Sequence, residues 1–117
     1  MSNPVLHFEI GGADGPALSK FYDELFGWKT SIHEPSGYGM TDTQSDGKGI
    51  GGGIFTTPHK QPIVTFYVGV DDLAKALAKA ESLGGKTVLP PTDVPEGPSL
   101  ALFADPEGNV VGIVSGM

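Results

Sequence analysis

The chain has 117 residues, enough for one compact unit with a real core and too few for two conventional domains. Seven Lys and Arg stand against 14 Asp and Glu, and the resulting charge of -7 excludes the clustered cations that nucleic-acid binding requires. With no cysteine there are no disulfides, thiolate metal ligands or cysteine nucleophiles, and the longest apolar run, IVTFYVGV, falls far below the ~18 residues of a membrane span.

The opening MSNPVLHFEI has neither the basic start nor the long apolar stretch of a secretion signal, so a cytoplasmic protein without a membrane partner is expected. Its VLHFEI run predicts a strand in which His7 and Glu9 face one way and Leu6, Phe8 and Ile10 the other. Asp14 is the predicted N-cap of a first helix opened by Gly15 and Pro16. Leu18, Phe21, Tyr22, Leu25 and Phe26 recur at helical spacing, and Gly27 closes the segment. Residues 28–33, 38–41 and 48–55 read as three short strands, with turns at EPSG and QSDGKG, and TTPHKQP reads as a linker.

The same order then returns. IVTFYVGV is a strand, Asp71 or Asp72 caps a helix, and Leu73, Ala76, Leu77, Ala80 and Leu83 form its apolar stripe before Gly84 and Gly85. Residues 86–89, 99–104 and 110–114 give three more strands. LFGWKT at 25–30 and SLGGKT at 82–87 repeat one helix-end, glycine, strand-start pattern 57 positions apart. The expectation is a single domain, 1–117, built from tandem βαβββ modules at 1–58 and 59–117 in an α+β fold.

Three motif-like stretches have simpler explanations. GKGIGG matches a dinucleotide-loop pattern, but no helix follows it, so a glycine-rich strand closely approached by another group is expected. DTQSDG lacks the Asp or Asn and the closing Glu of a calcium loop and reads as a hairpin turn. DPEGN reads as a tight turn between strands. His33 and His59 have no ligand-spaced companions, and Lys75, Lys79 and Glu81 read as a solvated helix face.

HFEI leading to Asp14, FYDELFGW, VDDLAKALAKAESLGG and the terminal ADPEGNVVGIV together make the chain resemble the vicinal oxygen chelate superfamily. That superfamily includes glyoxalase I, bleomycin-resistance proteins and extradiol dioxygenases. The resemblance implies paired modules whose curved mixed sheet forms a U-shaped cavity, with helices on the convex face, commonly in a homodimer. Metal enzymes of the superfamily draw His, Gln or Glu ligands from the first and last strand of each module. His7 matches the first such position. The others fall on Thr65, on Gly51, Gly52 or Gly53, and on Gly112. Glycine offers no side-chain donor, so no metal site and no resident cofactor is expected, with a divalent ion disfavoured.

Strand parity places His7, Glu9, Thr65, Tyr67 and Gly112 on one inner surface, where glycine leaves room for something bulkier than an ion. Trp28 and Tyr38 join them as candidate ligand-binding residues, because amphipathic rings both pack and stack. The leading reading is a protein that binds a small organic ligand without metal. A second is a lyase, isomerase or hydrolase in which His7 and Glu9 are catalytic, His7 as general base with Glu9 or Tyr67 orienting it. A third is a protein-interaction subunit whose inner sheet is an apolar docking face.

Overall fold

The computed structural model describes residues 2–95 and 97–117. Its elements are β1 (Val5–Gly12), α1 (Gly15–Phe26), β2 (Lys29–His33), β3 (Tyr38–Asp42), β4 (Gly51–Thr56), β5 (Ile63–Gly69), α2 (Leu73–Ser82), β6 (Lys86–Asp93), β7 (Ser99–Ala104) and β8 (Val110–Ser115). Contacts divide the chain into a first unit, His7–Thr65, and a second unit, Phe66–Met117 with Met1–Leu6. The N-terminal segment joins the second unit through the Gly69 N–H, which donates to the Pro4 carbonyl at 2.8 Å. Among the described residues, no helix is long and apolar enough to cross a membrane.

In the first unit the strands run in the order β2-β3-β4-β1; in the second, β6-β7-β8-β5. The opening strand of each unit pairs in parallel with the closing one, and the remaining pairs are antiparallel. Both units are therefore mixed-sheet βαβββ modules with one wiring, the α+β repeat expected from the sequence.

The caps explain where the helices begin. Asp14 accepts from the Ala17 N–H at 3.1 Å and Asp72 from the Lys75 N–H at 3.0 Å, each satisfying an orphan donor of the first turn. α1 ends where Gly27 adopts φ 73° and returns its N–H to the Asp23 carbonyl. Gly15 lies so close to β4 that a Cβ there would meet the Thr56 N at 2.7 Å, and its own N–H donates to the Thr56 hydroxyl. Asp23 ties α1 to β2 by accepting from both the N–H and the hydroxyl of Thr30. In the second unit Leu73 and Leu77 of α2 bury against Ala101 of β7 and Ile113 of β8.

Two strands differ from expectation by more than a residue. β4 begins at Gly51 rather than 48, because Asp46 and Gly47 both take positive φ in a two-residue turn closed by reciprocal Ser45–Lys48 backbone bonds. β6 runs to Asp93 through Pro90 and Pro91 instead of stopping at 89. It is the outer strand of its unit and carries register shifts, the setting in which a ladder tolerates proline.

Candidate ligand site

Alternation along β1 sends His7 and Glu9 to one side and Phe8 and Ile10 to the other. Glu9 pairs with Gly53 of β4, and Gly53 with Met40 of β3. Tyr38, two residues before Met40, therefore shares the face of Glu9 and Gly53. Its ring crosses β4 at Gly53 and reaches β1. A Cβ at position 53 would fall on the Tyr38 ring and hydroxyl, so only glycine leaves that path open.

At the end of the path the Tyr38 hydroxyl donates to Glu9 Oε2 at 2.9 Å and lies 2.9 Å from His7 Nε2. A phenol has one proton. With that proton on the Glu9 bond, the His7 contact is an Nε2–H donating to the hydroxyl oxygen. His7, Tyr38 and Glu9 thus form one hydrogen-bonded chain within the first unit. The Phe55 ring backs Tyr38 at a centroid distance of 5.7 Å. Burial pushes the His7 imidazole below its ordinary value of 6.5, which keeps it neutral at neutral pH.

Parity expectations for the remaining candidates hold in part. Thr65 and Tyr67 are both buried on β5, whereas Val64 and Phe66, which alternate with them, are exposed. Tyr67 pairs with Gly112 of β8, and its ring lies where a Cβ on Gly112 would sit. The space expected above Gly53 and Gly112 is thus filled by tyrosine rings instead of being left open. Trp28 also differs from expectation. It packs on the Phe8 side of β1, stacked on Tyr22 at 5.5 Å and 14° and flanked by Phe8 at 5.5 Å and Phe26 at 5.2 Å. It is part of the helix–sheet packing and not of the His7–Tyr38–Glu9 group.

The motif-like stretches have resolved into turns and strands. In DPEGN, Asp105 accepts from the Glu107 and Asn109 N–H groups and from Asn109 Nδ2, each at 2.9 Å. Those bonds, led by the Asn109 side chain, hold its carboxyl below the usual range and explain the residue as a turn clamp. In GKGIGG, Gly52 lies under the Phe8 ring just as Gly53 lies under Tyr38, the close approach expected of a glycine-rich strand.

The donor set does not fit a divalent ion of the kind the resemblance implies. Among the described residues, no group of three or more His, Asp or Glu could hold one. His7 and Glu9 bring two ligand-type side chains, both engaged by Tyr38, while the glycine positions bring none and are roofed by rings. The signal that sequence reading missed is the pairing of these glycines with tyrosines, which is visible only in the register.

Residues 5–113 match the family described as the Glyoxalase/Bleomycin resistance protein/Dioxygenase superfamily. The anthracycline biosynthesis protein DnrV of Streptomyces peucetius is 32% identical over 117 aligned residues, covering 86% of this chain and 42% of that protein. The chain thus spans less than half the length of that Streptomyces relative. A glyoxylase-like domain-containing protein of Didymella fabae is 31% identical and is covered over 94% of its length, with 93% of this chain. Among solved structures, a hypothetical protein from Bacillus halodurans superposes with a TM-score of 0.68 at 13% identity, covering 100% of this chain and 96% of that one. Methylmalonyl-CoA epimerase from Mycobacterium tuberculosis gives 0.63 at 15% identity, covering 95% of this chain and 86% of that one; likenesses this remote in sequence bear on fold alone. The repeat, the wiring and the family match lead to one conclusion: the chain belongs to the glyoxalase/bleomycin resistance protein/dioxygenase superfamily.

Proposed function

We propose that the protein binds a small organic ligand through the His7–Tyr38–Glu9 chain of its first unit, and that it does so without a metal ion. The observation that carries this reading is the Tyr38 ring laid across Gly53, which ties the two ligand-type side chains to a phenol. A neutral imidazole, a phenol and a carboxylate in series offer donors and acceptors suited to a ligand rich in carbonyl and hydroxyl groups. The Streptomyces relative is an anthracycline biosynthesis protein, which supports an oxygenated polycyclic aromatic as the ligand class.

The test is a calorimetric titration of an anthracycline into chelator-dialysed protein. Saturable binding is expected, weakened about tenfold in Tyr38→Phe, the loss of one hydrogen bond worth about 1.4 kcal/mol. Unchanged affinity in Tyr38→Phe, or binding only after divalent metal is restored, would refute it.

One observation favours a second reading, in which the same groups move a proton. His7 is held neutral, as a general base must be, and it is hydrogen-bonded to a phenol that is in turn bonded to Glu9. An isomerase or lyase acting on an activated C–H bond would use His7 as the base, with Tyr38 in the orienting place that the sequence suggested for Glu9 or Tyr67. It requires that His7→Ala abolish turnover while ligand affinity falls much less.

A further inference from the structure

The repeat lets the two helix–sheet interfaces be compared residue by residue. In the first unit Tyr22 and Phe26 of α1 close on Trp28, and the three rings fill the space against Phe8. Counted from the caps Asp14 and Asp72, the place of Tyr22 holds Ala80; counted from Gly27 and Gly84 just past the helices, the place of Trp28 holds Gly85. Both line a surface cavity of about 450 Å³ beside α2 in the second unit, which the exposed Lys79 and Leu83 also line. Val70, Phe103 and Ile113 line it from the sheet side, and Ala76 and Ala80 from the helix side.

We infer that this cavity is a second small-molecule site, which takes a compact uncharged aromatic compound. Its volume falls in the range of ligand pockets, roughly 300–1,000 Å³. The first unit shows which group fits: the protein fills the equivalent space there with its own aromatic rings, and the second unit omits them. Gly85 cannot supply the missing ring, because a Cβ there would meet the Ala104 carbonyl at 2.8 Å. Lys79 brings an ammonium to the lining and Asp105 a carboxylate, whose bonds to Glu107 and Asn109 leave its charge in place, so the lining favours neither sign and suits an uncharged ring. The residues that carry this site all belong to the second unit, so it stands or falls independently of the His7–Tyr38–Glu9 reading.

The experiment is a titration of methylnaphthalene into the methyl-labelled full chain, followed by NMR. Saturable shifts are expected at the methyls of Val70, Ala76, Ala80 and Ile113. Ala80→Phe, which puts a ring into the cavity from the protein itself, is expected to weaken binding at least tenfold. Should that variant lose its native spectrum, Ala76→Leu narrows the same space and carries the same expectation. Naphthoate, which adds a carboxylate to the same ring, is expected to bind several-fold more weakly. Shifts absent from these methyls, or affinity unchanged in the filled variant, would overturn the site. Naphthoate binding as tightly as methylnaphthalene would overturn the uncharged assignment.

Discussion

The two units share one wiring and differ in what they do with each face of the sheet. Gly53 and Gly112 hold the same place in the register, paired with Glu9 in one unit and with Tyr67 in the other. Both glycines are covered by a tyrosine, but the ring comes from different strands. In the first unit Tyr38 arrives from β3, so the β1 position keeps its carboxylate and a polar chain results. In the second unit the ring is Tyr67 itself, standing where the carboxylate would be. On the helix side the contrast reverses, since aromatic rings pack under α1 whereas α2 covers a cavity. A duplicated fold can thus pack the two faces of its halves differently by exchanging a handful of side chains.

The comparison can be broken by substitution. The largest effect is expected from Trp28→Ala, which removes the ring that joins Tyr22, Phe26 and Phe8 and should destabilise by about 3 kcal/mol in urea unfolding. Ala80→Leu, at the hollow counterpart, should cost under about 1 kcal/mol, and a similar loss in both would show that the two interfaces are equally filled. Next come the roofed glycines. Gly112→Val should cost about 3 kcal/mol and Gly53→Val nearer about 1 kcal/mol, because Tyr67 is 6% exposed and cannot swing away whereas Tyr38 is only half-buried. Equal costs in thermal melts would argue that Tyr38 is held as rigidly as Tyr67.

A smaller effect attaches to pH. His7 has a lowered pKa in the folded protein, so below about pH 6.5 the unfolded chain takes up the proton first and stability falls as pH drops through that window. His7→Gln should flatten this limb of the stability–pH curve; a curve of unchanged shape would place the dependence elsewhere. Smallest are the helix caps, where Asp14→Ala and Asp72→Ala should each cost about 1 kcal/mol by the same measurement.

Much of the fold could be read from the chain because its punctuation is chemical. Asp14, Asp72 and Gly27 each solve a local hydrogen-bonding or φ problem that does not depend on distant residues. The start of β4 and the end of β6 could not be read in the same way, because a glycine run suits both turn and strand and because proline in a strand depends on which strand lies at the edge. For the site, period-two alternation put His7 and Glu9 together, but the choice between Trp28 and Tyr38 turned on which side of the sheet each ring enters. Alternation within one strand says nothing about that. The cavity beside α2 was hidden for a different reason, since it consists of what Ala80 and Gly85 lack relative to Tyr22 and Trp28.

The central proposal is that the His7–Tyr38–Glu9 chain of the first unit takes its ligand without a metal ion. Elemental analysis of protein purified without chelators, as wild type and as His7→Ala, tests it most directly. The account predicts no zinc, iron or manganese near one equivalent in either protein. One equivalent in the wild type that disappears in His7→Ala would contradict it.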